Sequence, residues 1–253
     1  MPRQAREKSN SKIYHIMLRG INRQNIFEED EDRQRFIETI GYYKAISKYE
    51  LYGFCLMNNH IHLLVKETEE SISKAIKRMC SSYVYWYNQK YDRCGHLFQE
   101  RFKSEAIETD EYFLTVLRYI HQNPVKAGII KDIRKYLWSS YREYVETPIH
   151  TDIYFALGIF STDKLKSKKL FQNFMNEKNN DQCLDYREKI KITDEEVMNY
   201  FKQFGVANIS ELQRFEKEQR DRILGEIKKV DGITIRQLSR LTGIAKSVVD
   251  RIN

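Results

Sequence analysis

The chain of 253 residues is long enough for one large domain or two modest ones, and 41% hydrophobic with 13% aromatic residues is enough to bury a sizeable core. A charged fraction of 31%, a mean hydropathy of -0.66 and the lack of any apolar run of bilayer length exclude a membrane-spanning helix. The net charge of +7 suits a polyanionic partner, of which nucleic acid is the commonest.

Met1 to Lys8 lack the apolar stretch of a signal peptide and read as a basic arm on a cytoplasmic protein. Residues 12–20 read as a strand ending at Gly20, with His15 as a sheet residue rather than a ligand. Arg19 and Arg23 flank the following turn, placed either to meet phosphates or to be solvated. Residues 30–48 form an amphipathic helix, with Phe36, Ile37, Ile40, Tyr43 and Ile46 on its apolar side and acidic residues at its start that suit the helix dipole. A second strand over about 50–57 leads into a third through Met57-Asn58-Asn59, a tight turn for which asparagine, tolerant of left-handed angles, is suited. His60 and His62 stand two apart in the apolar run 56–66. Side chains alternate faces along a strand, so both imidazoles project to the same side. Two neutral imidazoles side by side are half a site for a divalent metal; edge-strand histidines facing water give the same spacing.

Residues 71–91 read as a long helix opening at Ser71, its core face made by Ile72, Ile76, Met79, Tyr83 and Trp86. Gly95 to Ser104 turn into a strand running to about Glu108, and Thr109-Asp110 offer N-cap chemistry for a helix from near Glu111 to about 122. Asn123-Pro124 is expected to stop that helix. Tyr119 and Asn123, four apart, share one helix face, while His121 and Gln122 lie on others. The order strand, helix, strand, strand, helix, strand, helix predicts an α+β fold, an antiparallel sheet of four to five strands with packed helices. Cys55, Cys80, Cys94 and Cys183 show no C-x-x-C spacing and read as reduced thiols.

Four blocks, Asn59-His60-Ile61-His62, Gly95 to Lys103, Arg118-Tyr119-Ile120-His121-Gln122-Asn123-Pro124-Val125-Lys126-Ala127-Gly128, and Trp138-Ser139-Ser140-Tyr141, follow one another in the order found in the REP-associated tyrosine transposases, which this chain resembles over about residues 10–145. Those enzymes belong to the HUH single-strand endonucleases with one catalytic tyrosine. The resemblance implies a ferredoxin-like catalytic domain over 1–147, with His60, His62 and Asn123 as ligands of a divalent metal, Mg or Mn, and Tyr119 as the nucleophile. It further implies cleavage and rejoining of single-stranded or hairpin DNA through a 5′-phosphotyrosine. Arg19, Arg23, Arg101, Lys103 and Lys126 are then expected at the DNA. A non-catalytic regulator that binds hairpin DNA or RNA is the alternative. A zinc hydrolase is disfavoured because no third histidine or acidic ligand stands at motif spacing. Oligomeric state, monomer or dimer, stays open.

Residues 126–147 close the catalytic domain, with Trp138 and Tyr141 packing back onto it, and residues 148–192 read as a helical connector. Residues 193–253 form an all-helical C-terminal domain, with helical periodicity over 193–204 and 208–230. Its last part, 234–252, has helix, glycine turn, helix spacing and looks like a helix-turn-helix with Ile235, Leu238, Leu241, Ile244, Val248 and Ile252 as its core. Its second helix presents Lys246, Ser247 and Arg251 to DNA, although helical pairs that bind only protein share the pattern.

Overall fold

Four strands, β1 (Ile13–Arg19), β2 (Glu50–Met57), β3 (His60–Lys66) and β4 (Lys103–Ile107), form one sheet in the spatial order β2-β3-β1-β4. Every pairing is antiparallel. This computed structural model describes residues 7–184, 192–206, 208–212, 214–230 and 232–252. Helices α1 (Asp30–Ser47) and α2 (Ile72–Lys90) connect β1 to β2 and β3 to β4, the split β-α-β arrangement of ferredoxin-like folds. Among the described residues no fifth strand lies on the outer edge of β2; a bridge between Cys55 and Ser139 covers it, with Leu56 N donating to Trp138 O at 2.9 Å.

Period-two alternation gives the sheet two apolar faces, and each has its own core. On one, Tyr14, Ile16, Leu18, Phe54, Leu56, Ile61, Leu63 and Val65 pack against Phe36 and Ile40 of α1 and Ile76, Met79 and Tyr83 of α2. The start of α1 is closed by a reciprocal Glu29–Asp32 capping box, and Lys90 Nζ at the end of α2 reaches the buried Asp32 at 2.8 Å. Ile46, expected on the apolar side of α1, is 48% exposed instead.

On the other face lies α3 (Asp110–Lys126), N-capped by Thr109, whose hydroxyl accepts from Tyr112 N. With it pack α4 (Tyr141–Val145), α5 (Ile153–Phe160) and α6 (Lys164–Asn176). Their core joins Cys55, Met57, Leu64 and Ile107 of the sheet to Phe113, Val116, Leu117 and Ile120 of α3, Tyr144, Ile153, Leu157, Phe171 and Met175. The stretch 148–192 is therefore no bare connector: α5 and α6 belong to the second core of the sheet-bearing unit. The lysines on the outer side of α6 obscured the i, i+4 apolar pair Phe171 and Met175. Residues 185–191 lie outside the described residues. Gly53 is where α3 crosses β2; a Cβ there would come within 2.8 Å of Leu117 Cδ1.

Two local expectations change. Pro124 does not end α3 but lies within its last turn, where Ala127 N still donates to Asn123 O at 2.9 Å and only the bond that Pro124 cannot make is lost. The stop is Gly128, at φ +71, with Gly128 N donating to Val125 O and Ile129 N to Pro124 O, both at 3.0 Å, the Schellman pattern. The Asn58-Asn59 turn forms, but neither residue is left-handed; the positive φ values fall at Asn22 and Arg23 in the neighbouring loop. The two asparagines act through their side chains: Asn58 Oδ1 accepts from the Arg33 guanidinium at 2.7 Å, and Asn59 Oδ1 meets His60 Nδ1 at 2.7 Å.

Contacts divide the chain into Met1–Asp185 and Tyr186–Asn253. The second unit holds α7 (Asp194–Gln203), α8 (Ile209–Leu212), α9 (Lys217–Lys228), α10 (Ile235–Thr242) and α11 (Lys246–Arg251) around Val197, Phe201, Leu212, Leu224, Ile227, Leu238, Val249 and Ile252. The expected helix 208–230 is two helices, since Phe215 turns in against this core and Glu216 takes the extended angles of an N-cap. Gly243, at φ +70, caps α10 before α11. Val249, not Val248, is the buried valine of α11; Val248 is 38% exposed. The four cysteines are free thiols. Among the described residues no helix is long and apolar enough to cross a membrane.

Candidate active site

Cross-strand register gathers the histidines. Arg19 stands opposite His60, Met17 opposite His62 and His15 opposite Leu64 between β1 and β3, so His15, Arg19, His60 and His62 share the sheet face that α3 covers. The His60 and His62 rings are 5.0 Å apart between centroids. His15, read from the sequence only as a sheet residue, is diagonal to His62, and its Nε2 lies 2.9 Å from His62 Nδ1. On β4, Glu105 stands opposite His15, with its Oε2 3.7 Å from His15 Nδ1, an electrostatic contact longer than a hydrogen bond.

Above this face α3 lays down one stripe at i, i+4, i+7: Tyr119, Asn123 and Lys126. The stripe includes Lys126 only because the helix continues past Pro124. The Tyr119 ring meets that of His62 edge-on at 5.6 Å and that of His15 at 6.1 Å. It is 7% exposed, at the rim of the second core with imidazoles as its polar neighbours. Lys126 Nζ lies 5.4 Å from the centre of the same ring. Asn123, 8% exposed, places Nδ2 3.4 Å from His62 Nε2.

The donor chemistry fits a divalent cation. The Asn59 carboxamide oxygen meets His60 Nδ1, and His15 Nε2 meets His62 Nδ1, which makes Nε2 the donor atom that either ring would offer a metal. Burial, with His15 and His60 beside it, pushes the His62 imidazole well below its usual range and keeps it neutral, the state a metal requires. With its amide turned over, a matter of assignment, Asn123 adds an oxygen to the two nitrogens. Mixed nitrogen and oxygen donors with open positions suit Mg or Mn bound together with phosphate. No three His, Cys, Asp or Glu side chains converge as a metal cluster among the described residues, so any cation here depends on the carboxamide. His15 is not a third ligand, because its nearer nitrogen faces a nitrogen of His62.

Of the basic residues, Arg19 and Lys103 stand on the same sheet face as the histidines, Lys103 opposite Met17. Arg23 lies beside the β2–β3 turn, its carbonyl accepting from Asn59 Nδ2 at 3.3 Å, and Arg101 is exposed in the loop before β4. Lys126 also donates to Asn179 Oδ1 at 2.9 Å, and burial lowers its amine while Asp181 partly restores it. Lys246, Ser247 and Arg251 are exposed on α11 of the second unit. His121 points away from the stripe: buried, it bonds Ser140 Oγ at 2.8 Å, and burial pushes its imidazole down to about 3.

Sequence reading missed His15, Glu105 and the 177–184 segment, which lies along α3. In that segment Asp181 takes both arms of Arg118 at 2.8 and 3.1 Å, and Leu184 N donates to Glu105 Oε2 at 3.2 Å. Burial raises the Glu105 carboxyl, but the nearby His15 imidazole, Tyr112 and the Leu184 N–H outweigh it and hold the group below its usual range. One signal was available for His15: it is the polar residue inside an otherwise apolar strand, in phase with Arg19.

Residues 8–123 match the family model described as "Transposase IS200 like". A Haemophilus influenzae protein named as a REP-associated tyrosine transposase is 27% identical over 135 residues, covering 49% of this chain and 74% of that protein. The solved structure of a REP-associated tyrosine transposase bound to a REP hairpin superposes with a TM-score of 0.51 at 18% identity, covering 57% of this chain and 86% of the other. The resemblance read from the four sequence blocks thus holds in family model, sequence and fold.

Proposed function

Taking the IS200-like transposase match of residues 8–123 as premise, we propose that this chain is a metal-dependent, single-stranded DNA endonuclease and strand transferase acting on hairpin-forming DNA. The observation that carries the reading is the Tyr119 ring lying 5.6 Å from that of His62, with Asn123 3.4 Å from His62 Nε2 on the same helix stripe. A phenol ionises only near pH ~10, so it must lose its proton to attack. The Lys126 ammonium, 5.4 Å from the ring, favours the phenolate electrostatically. Tyr119 Oη then bonds to the scissile phosphorus as the bond to the 3′-oxygen breaks; that oxygen takes up a proton and leaves as a 3′-hydroxyl. His60, His62 and Asn123 would hold a divalent cation, whose chemistry there would be Lewis-acid polarisation of a non-bridging phosphate oxygen. The phosphodiester energy stays in the 5′-phosphotyrosine, so attack by a 3′-hydroxyl rejoins strands without a nucleotide cofactor. The solved relative is bound to a REP hairpin, which supports a hairpin-bearing strand as the substrate here. Arg19, Arg23, Arg101 and Lys103 would contact its phosphates.

The test is incubation of the protein with Mn²⁺ and a hairpin-bearing single-stranded oligonucleotide, resolved on a denaturing gel. The wild-type chain yields a covalent, protease-sensitive adduct, and Tyr119→Phe yields none while still retaining the DNA. An adduct that persists in Tyr119→Phe removes Tyr119 from the role. Reversible retention without any wild-type adduct leaves a non-catalytic hairpin-binding regulator.

A further inference from the structure

We propose that Glu105 and His15 are positioning residues that hold His62 in its Nδ1-protonated tautomer, so that its Nε2 lone pair faces Asn123 and the substrate side. The inference deepens the function above and rests on His62 as a ligand in that reading.

The placement of protons along a rung that crosses three strands carries this assignment. Glu105 on β4, His15 on β1 and His62 on β3 follow one another with Oε2 to Nδ1 at 3.7 Å and Nε2 to Nδ1 at 2.9 Å. A neutral imidazole carries a single N–H, and a carboxylate only accepts. The carboxylate therefore draws the His15 proton to Nδ1, which leaves His15 Nε2 as an acceptor. The 2.9 Å contact then needs a donor, and His62 must supply it from Nδ1. The opposite order would place an N–H on His62 Nε2, facing Asn123, where no cation can bind. His15 and His62 are fully buried, so bulk water cannot exchange the two arrangements freely. The anchor is itself held, since Leu184 N donates to Glu105 Oε2 at 3.2 Å. His60 solves the same problem locally, by giving its Nδ1 the Asn59 carboxamide oxygen at 2.7 Å. His62 has no such neighbour in its own strand and takes its acceptor from across the sheet. Partners that orient a metal-binding imidazole are typically worth about 10–100-fold in metal affinity.

The test uses the full chain, ¹⁵N-labelled at histidine, with long-range ¹H–¹⁵N spectra recorded without metal; these distinguish the two tautomers, and a His62→Asn sample assigns the signal. The expected wild-type signature is His62 protonated on Nδ1. His15→Gln, whose carboxamide oxygen can still accept, keeps that signature, whereas His15→Phe, which keeps a ring but no acceptor, loses it. Mn²⁺ titration followed by electron paramagnetic resonance then shows about 10–100-fold weaker binding in His15→Phe and only a few-fold change in His15→Gln. Glu105→Leu, at a partly exposed position, provides the same comparison if His15→Phe does not fold. A wild-type His62 protonated on Nε2 overturns the proposal, as does unchanged Mn²⁺ affinity in His15→Phe or Glu105→Leu. Neither measurement reads cleavage: an inactive chain with the Nδ1 tautomer defeats the proposed function alone, and an active chain with the Nε2 tautomer defeats this inference alone.

Discussion

The helix that carries Tyr119 is anchored by a buried histidine that resists protonation in the folded chain, and this predicts a specific acid sensitivity. His121 is fully buried among Tyr141, Tyr144 and Phe171, with its Nε2 2.8 Å from Ser140 Oγ, which itself accepts from Phe54 N on β2 at 2.9 Å. Burial pushes its imidazole down from the ordinary 6.5 to about 3 in the folded chain. Between those values the unfolded chain binds a proton that the native chain does not, so stability is intact above pH 6.5 and falls as the pH drops below it, down to about 3. The linkage slope reaches about 1.4 kcal/mol per pH unit, which integrates to about 2 kcal/mol between pH 7.5 and 5.0. His121→Gln keeps a donor for Ser140 and removes the titration. It lowers stability at pH 7.5 by about 1–3 kcal/mol through lost packing, yet loses about 2 kcal/mol less than wild type on going to pH 5.0. Urea unfolding followed by tryptophan fluorescence measures this cleanly, because both tryptophans, Trp86 and Trp138, lie in the first unit. His62, also shifted down, contributes equally to both proteins and cancels in the comparison. Parallel stability–pH curves for wild type and His121→Gln would refute the argument.

Three further outcomes follow from the same geometry. Excess chelator stops adduct formation by the wild-type chain without releasing bound hairpin DNA; full activity in chelator counts against any role for His60, His62 and Asn123 as ligands. Gly53→Ala drives a methyl to within 2.8 Å of Leu117 Cδ1, forcing α3 off β2; it costs about 1–3 kcal/mol, read as a fall of several degrees in the melting temperature. Asp181→Ala strips the Arg118 guanidinium, which is about 10% exposed, of its two-armed partner; amide exchange in 177–184 speeds up several-fold and stability falls by about 1–3 kcal/mol, while unchanged exchange means the segment is held by Glu177 and Gln122 alone.

Much of the sheet-and-helix fold was legible in the chain because it is written in short-range spacing. Alternation over 50–66 placed the hairpin and put His60 and His62 on one face, and the four-residue step from Tyr119 to Asn123 put both on one stripe. Where reading failed, a local rule met a non-local contact. Pro124 is a good stop signal, yet α3 runs on to Gly128, and with it Lys126 joins the stripe. Residues 148–192 read as a helical connector, while Phe171 and Met175 within it are packed on α3 and α4.

The residues alone determined which segments are strands and helices and which side chains share a face, since those follow from periods of two and about 3.6 along one continuous backbone. Only the tertiary structure decided that His15 and Glu105 stand in line behind His62, and that His121 seats α3 through Ser140. Those relations join residues 47, 90 and 19 positions apart. Strand register and helix seating set them, and both are properties of the packed sheet rather than of any stretch of chain.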